Sequence, residues 1–269
     1  MQILGGNVSG KTLWPIVICG AQFEERMKNG SMSVVGLAPA AAKLGAQGVE
    51  FREVYWKNKA DELPKVREQV RDLGLVGTYA TFTTLFNRDV ARQQQLIRDL
   101  DDAHAIGSPL MRVFQGEKPG AGPEDAHMWQ AARAALERAA GYGMYLALEN
   151  FIGTPGNHWR EVKSTIEDLN SPVLAVNIDT SNYVLNGHDL MAAIRELFPW
   201  VRYSHLKDVT TVDGKKAATY PGNGELSFKA ILGEYNKMGR RFPLCLEFRG
   251  GNDPEGEITK TLEHLRGVM

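Results

Sequence analysis

Eight short apolar segments alternate with helix-forming segments along the chain, and this alternation constrains the fold more than any other feature. The predicted strands cover residues 13–19, 49–53, 75–81, 109–115, 144–150, 173–179, 201–208 and 243–249. Short apolar runs of this kind are typical of parallel strands buried on both faces. In a chain of 269 residues, the pattern predicts an α/β fold, a closed (β/α)8 TIM barrel, as a single domain over residues 1–269.

The segments between these strands carry helical signals. Helices are predicted over residues 37–44, 60–73, 89–106, 124–140, 189–197, 226–238 and 255–265, and a further helix ends near residue 169. Residues 20–36 form a mostly polar stretch with no predicted helix, and residues 209–224 are predicted to form a longer loop. An open doubly wound sheet is the alternative architecture, but no Gly-x-Gly-x-x-Gly turn follows the first strand to mark a dinucleotide site.

Composition limits the possible partners and the compartment. The net charge of −1 gives no global basic field, so we expect no nucleic acid partner. No apolar run approaches the ~18 residues of a membrane span, and the start of the chain does not resemble a signal peptide, so we expect no membrane partner and a cytoplasmic location. Cys19 and Cys245 both lie in apolar segments, which favours buried free thiols over a disulfide.

Polar side chains stand at the ends of the last four predicted strands. These residues are Glu149, Asp179, His205 and Glu247. Because the carboxyl ends of parallel barrel strands open on one face, we expect the four side chains to converge. Three carboxylates in a low-dielectric barrel mouth would repel one another unless a cation held them together, and a divalent metal resolves this conflict. Oxygen and nitrogen ligands without thiolate suit Mn²⁺, Mg²⁺, Co²⁺ or Zn²⁺.

The same segments carry a family resemblance. They are Ala147-Leu148-Glu149-Asn150, Asn177-Ile178-Asp179, His205-Leu206-Lys207-Asp208, Pro221-Gly222-Asn223-Gly224 and Leu246-Glu247. Together they resemble the sugar phosphate isomerase/epimerase superfamily with the xylose-isomerase-like barrel, and the match spans nearly the whole chain. The resemblance implies one divalent metal ion, most often Mn²⁺, bound by Glu149, Asp179, His205 and Glu247.

The resemblance also implies a reaction. In related ketose epimerases and isomerases, the two glutamates that correspond to Glu149 and Glu247 move a proton on either side of a carbon next to a carbonyl. A metal that stabilises an enediolate and two carboxylates that act as base and acid are consistent with this chemistry. We therefore expect a metal-dependent isomerase or epimerase of a small carbohydrate, a keto sugar or a polyol, with Glu149 and Glu247 as the catalytic pair.

Two departures from the family pattern leave the substrate open. Many members have His where this chain has Asn182 and where it has Phe151. A lyase of the same superfamily, similar to an inosose dehydratase or to an enzyme that cleaves 3-keto-glycosides, is the first alternative, and a non-catalytic sugar-binding barrel is the second. The DNA-repair branch, which uses many histidines, is disfavoured because this chain has only six.

Further residues are candidates for binding the substrate. Strand alternation turns Lys207, Arg249, Arg52 and Glu50 toward the barrel interior, Asn182 can bond a hydroxyl group, and His158 lies in the loop after the fifth strand. Lys207 could instead form an ion pair with Glu50 or Asp179, and His158 could instead cap the following helix. A homo-oligomer that pairs through outer helices is possible, although no apolar stripe identifies a face.

Overall fold

The computed structural model of the protein describes residues 14–269 and, before them, the backbone of Asn7–Val8 and Lys11–Thr12, which pair as antiparallel strands. Leu13, where the first strand was predicted to begin, lies outside the described residues. No helix among residues 14–269 has the length and apolar character needed to cross a bilayer.

Eight parallel strands form the predicted barrel. They are β1 (Ile16–Cys19), β2 (Gly48–Arg52), β3 (Val76–Thr84), β4 (Leu110–Phe114), β5 (Tyr145–Glu149), β6 (Leu174–Asp179), β7 (Val201–Leu206) and β8 (Leu244–Leu246). Each strand pairs with the next in sequence, and β8 pairs with both β7 and β1, which closes the barrel. The (β/α)8 prediction is therefore confirmed.

Helices surround the barrel. They are α1 (Glu24–Lys28), α2 (Leu37–Lys43), α3 (Lys59–Asp72), α4 (Val90–Ala105), α5 (Ala126–Gly141), α6 (Trp159–Leu169), α7 (Thr180–Leu185), α8 (Leu190–Glu196), α9 (Phe228–Lys237) and α10 (Pro254–Val268). Two short helices, α1 and α7, were not predicted. Helix α7 begins directly after β6, with the Asp179 carboxylate accepting a hydrogen bond from the backbone N–H of Asn182.

The excursion after β7 contains a β-hairpin, so the prediction of an irregular segment at residues 209–224 was wrong. Residues Asp208–Val212 pair with Lys215–Thr219 around Asp213 and Gly214, both of which have positive φ angles. Such a turn matches the twist of a two-stranded ribbon and favours Asp-Gly. The Asp213-Gly214 pair was therefore a sequence signal for a hairpin, but it was not recognised within such a long connecting segment.

The alternation of side chains along the strands separates two apolar regions. Ile18, Val49 and Phe51 belong to the main core between the strands and the helices. Val17, Leu110 and Cys245 belong to a smaller cluster, which the same alternation places on the opposite, inner face of the sheet. Cys245 and Cys19 are both buried and free, as predicted. The inner face changes from apolar to charged toward the carboxyl ends of the strands, and this change positions the site.

Candidate metal centre and active site

The structure brings the four polar strand ends together. Glu149 ends β5, Asp179 ends β6, His205 is the penultimate residue of β7, and Glu247 directly follows β8. Each offers one ligand atom, and these atoms all lie within 4.8 Å of one another. All four side chains are buried, and Glu247 is the most accessible at 8%. Their convergence follows from the common direction of the strands.

His205 is held between two layers of carboxylates. Its Nδ1 lies 3.2 Å from Glu149 Oε2 and 3.1 Å from Glu247 Oε2, while its Nε2 lies 2.8 Å from Glu50 Oε2. Burial by itself lowers the pKa of His205, but the charges of Glu50 and Glu149 outweigh it and raise the pKa to about 9. Nδ1 therefore faces the candidate centre, and Nε2 is fixed from behind.

Glu50 fixes the imidazole from inside the barrel. Besides His205, its carboxylate accepts hydrogen bonds from the Tyr203 hydroxyl at 3.0 Å and from the Cys19 thiol at 3.1 Å. Glu50 is fully buried, and although burial opposes ionisation, His205 and Arg52 hold its pKa well below the usual range. This is the arrangement by which a carboxylate orients a metal-ligating histidine. Glu50 was predicted to bind substrate, but it does not line the cavity.

Arg112 clamps Glu149 and was not among the residues predicted for the site. Its Nε lies 2.8 Å from Glu149 Oε2, and its guanidinium also donates to the backbone carbonyl of Thr81. Burial favours the neutral form of Glu149, but Arg112 and His205 outweigh it and hold the pKa at about 2. Glu149 is thus ionised in its ligand position. Arg112 lies within the predicted strand 109–115 on the face that it shares with Leu110 and Phe114, and a charged residue inside an apolar strand was the available sequence signal.

Lys207 lies between two of the candidate ligands. Its Nζ is 2.7 Å from Asp179 Oδ2 and 2.6 Å from Glu247 Oε2. Burial and the neighbouring Glu149 raise the pKa of Asp179, while Lys207 opposes that rise. Lys207 therefore forms the ion pair with Asp179 that was predicted as the alternative to substrate binding. Its ammonium group supplies a positive charge between the carboxylates of Asp179 and Glu247.

The donor set fits a divalent ion. Asp179 Oδ2, His205 Nδ1 and Glu247 Oε2 are buried, and their partners in the centre are charged groups at 2.6–3.2 Å: Lys207 beside the two carboxylates, and the carboxylates of Glu149 and Glu247 beside His205. Carboxylates gathered this closely need a cation among them, and Lys207 supplies one charge where a divalent ion would supply two. Three carboxylates and one imidazole form a hard to borderline ligand set that suits Mn²⁺, Mg²⁺, Co²⁺ or Zn²⁺.

Asparagine side chains complete the walls around Glu149. Asn177 Nδ2 donates to Glu149 Oε2 at 3.2 Å, and Asn182 Nδ2 lies 3.4 Å from Glu149 Oε1 and 2.9 Å from the carbonyl oxygen of Asn150. Asn182, predicted to bind substrate, is therefore beside the catalytic candidate, with its amide already engaged. Asn177 was not predicted, although it shares the inward face of β6 with Asp179.

An open cavity of about 600 Å³ lies above the centre. Its lining includes Arg52, Arg112, Glu149, Lys207, Glu247 and Arg249, with the aromatic residues Phe82, Phe114, Phe151, Tyr220 and Phe248. Arg52 forms a close ion pair with Glu247 and lies 3.7 Å from Glu50. The cavity thus has a charged floor and largely aromatic sides, a common form for small-molecule sites.

His158 lies elsewhere. Its Nδ1 accepts a hydrogen bond of 3.0 Å from the backbone N–H of Arg160 and caps helix α6, and its ring packs 4.5 Å from that of His188. It is absent from the lining of the cavity. His158 therefore caps helix α6, as the alternative prediction stated, and its ring is held at the helix terminus away from the cavity.

The fold and the cluster together define a class of protein: a TIM barrel with a buried group of three carboxylates and one histidine at the carboxyl ends of its strands. The chain belongs to the xylose isomerase-like TIM barrel family, whose family model matches residues 38–268. The sequence prediction of this superfamily is therefore confirmed.

Individual relatives are distant. A 3-dehydroshikimate dehydratase from Bacillus anthracis is 20% identical over 209 residues, which cover 73% of this chain and 72% of that protein. The crystal structure of a probable 3-DHS dehydratase from Bacillus anthracis superposes with a TM-score of 0.76 at 15% identity and covers 93% of this chain and 98% of that one. An L-ribulose 3-epimerase superposes with a TM-score of 0.72 at 17% identity, covering 95% and 96%. These likenesses show the shared fold.

Proposed function

We propose that the protein is a divalent-metal-dependent isomerase or epimerase of a small keto sugar or polyol that works by proton abstraction next to a carbonyl. The observation that carries this proposal is the convergence of Glu149, Asp179, His205 and Glu247, whose ligand atoms lie within 4.8 Å of one another beneath an open cavity that Glu149 and Glu247 line. Membership in a family that includes epimerases supports it. Mn²⁺ is the ion we propose first.

The four candidate ligands would hold the ion, which supplies Lewis-acid polarisation of substrate oxygens when it is bound. Glu247 is the most accessible of the carboxylates and would accept the proton from the substrate carbon. Glu149, which belongs to a different strand, would take up a proton from solvent and deliver it from the other side, and Glu247 would release the abstracted proton to solvent. Lys207 lies beside Glu247 and would stabilise the oxyanion that develops on the substrate.

The ion is tested directly by its stoichiometry. Protein purified without added metal or chelator is expected to contain about one divalent ion per chain by elemental mass spectrometry, as a four-ligand centre requires. His205→Ala should lose it, and Arg92→Gln, on the exposed face of helix α4, should keep it. Absence of metal in the wild type after incubation with Mn²⁺ would refute the proposed centre.

The reaction is tested by exchange. The metal-loaded protein is incubated in deuterated water with a panel of keto sugars, and deuterium in carbon-bound positions is measured by NMR. Incorporation that depends on Glu247 supports proton abstraction. Tight binding of a sugar with no incorporation would instead favour the non-catalytic sugar-binding barrel.

Dehydration is the second candidate, and one observation favours it. Glu149 Oε2 lies 2.8 Å from Arg112 Nε and accepts a hydrogen bond from Asn177, which fixes it as a ligand, whereas Glu247 is the more accessible carboxylate and would be the principal proton acceptor. One base is sufficient when the abstracted proton is followed by loss of a β-hydroxyl group as water. The similarity to a dehydratase is consistent with this outcome. Product mass distinguishes the two reactions, because dehydration removes one water and epimerisation leaves the mass unchanged.

A further inference from the structure

The cations that line the cavity are of two kinds. Arg52, Arg112 and Lys207 lie beside the candidate metal ligands, and each is within ion-pair distance of a buried carboxylate. The protein itself therefore neutralises these three side chains. An anionic group of a substrate needs a different partner.

Arg249 offers such a substrate a free guanidinium. It lines the cavity and is exposed, and within residues 14–269 it has no hydrogen bond, ion pair or ring contact. The cavity's other cations are each paired with a buried carboxylate. Two acidic residues, Glu24 and Glu257, also line the cavity, and Glu24 pairs with Lys28 at 3.1 Å; neither forms an ion pair with Arg249. The planar fork of Arg249 suits a carboxylate.

An aromatic wall stands on the other side of the mouth. It consists of Phe82, Phe114 and Phe151, with ring centroids 5.9 Å apart for the first pair and 4.9 Å for the second. Phe82 is 44% exposed and Phe151 37%, and they are the exposed aromatic side chains within residues 14–269. Both are in the cavity lining, so the exposed aromatic surface is concentrated where a ligand would enter. Such a wall binds the apolar face of a ring.

We propose that the substrate is a carboxylate-bearing ring, whose carboxylate binds Arg249 and whose apolar face packs on the aromatic wall. This inference rests on the proposed function, because it concerns the substrate of the same site. It narrows the substrate class from small carbohydrates and polyols in general to their cyclic monoanionic acids.

Binding of two probes that differ only in charge tests the inference. Shikimate and its methyl ester share one ring, and their affinities for Mn²⁺-loaded protein are measured by titration calorimetry. We expect shikimate to bind on the order of tenfold more tightly than the ester, as a charge-assisted pair allows. Arg249→Gln should remove this preference, Arg249→Lys should keep part of it, and Arg92→Gln should leave it unchanged. Equal affinities in the wild type, no binding of shikimate, or a preference that survives Arg249→Gln would overturn the proposal.

A second measurement shows whether a negative result contradicts the carboxylate-bearing substrate or the proposed function as a whole. Deuterium exchange is compared for ring-form sugar acids and for the parent neutral sugars. Exchange into the acids alone supports the inference. Exchange into neutral sugars alone would refute it while the proposed function stands, whereas a protein without metal or exchange on any substrate would refute the proposed function itself.

Discussion

The two ends of the barrel interior are built from the same strands but hold side chains of opposite character. At the amino end, Val17, Leu110 and Tyr203 form part of an apolar cluster. At the carboxyl end, charged and amide side chains gather around His205: Glu149 and Asp179 each have a cationic partner within 2.8 Å, and Glu50 lies 2.8 Å from His205. The amino end therefore contributes to stability through apolar packing, whereas the ion pairs of the carboxyl end fix the positions of the candidate ligand side chains.

Glu50 and Tyr203 join these two regions. The Tyr203 ring belongs to the apolar cluster, and its hydroxyl bonds Glu50, which in turn bonds His205. The Tyr203 ring also packs edge-on against the His205 ring, with the ring centroids 5.1 Å apart. If the two ends have separate roles, substitutions on the carboxyl side of Glu50 and Tyr203 should alter catalysis and metal binding. Substitutions on the amino side should alter only the stability of the fold.

The largest effect is expected from the proposed acid–base pair. Glu149→Gln and Glu247→Gln should each lower kcat by about 10²- to 10⁴-fold, because the amide can neither take nor return a proton. Steady-state kinetics on the substrate found by deuterium exchange measures this effect. Circular dichroism should show an unchanged fold. If both variants kept wild-type turnover, the two-carboxylate mechanism would be wrong.

A substitution at the amino end should have the complementary effect. Leu110→Ala removes a side chain that is only 3% exposed and should lower the free energy of unfolding by about 2–5 kcal/mol. Urea denaturation measures the loss. The metal content per chain should stay at the wild-type value. A folded Leu110→Ala protein that had lost its metal would show that the two ends are not independent.

A smaller effect is expected at the junction. Glu50→Gln keeps the size of the side chain but removes the charge that orients His205, and it should weaken metal affinity about 10- to 100-fold. Titration against a fluorescent metal chelator measures the affinity. Glu137→Gln, on the exposed face of helix α5, is the matched control and should bind metal normally. Unchanged affinity in Glu50→Gln would mean that packing alone holds the imidazole.

The smallest effect is expected at the rim of the cavity. Phe151→Ala shortens the aromatic wall and should raise KM by several-fold, on the order of 1 kcal/mol of binding, with kcat and stability nearly unchanged. Initial-rate kinetics and thermal unfolding check both parts. A large fall in kcat would show that Phe151 positions the reacting atoms rather than the ring of the substrate.

The sequence was sufficient for the barrel and for the four convergent residues, because strand polarity alone determines which ends meet. It was insufficient for Arg112, since both faces of the segment 109–115 are largely apolar and the inward face could not be identified. The roles of Glu50 and His158 depended on which atom lies within hydrogen-bond distance, and no spacing rule determines that. Helix α7 was missed because its cap, Asp179, was already assigned to a strand end.

The hairpin beside the cavity is tied at its base by one side chain. Asp208 accepts hydrogen bonds from the backbone N–H groups of Val209, Gly222 and Leu226, which lie at the two ends of the excursion. These hydrogen bonds hold together the two ends of the hairpin segment. The tip around Asp213 and Gly214 can therefore change in length or sequence without disturbing β7 or helix α9. Evolution could therefore retune which molecules enter the barrel by exchanging this one module, while the buried centre is inherited unchanged.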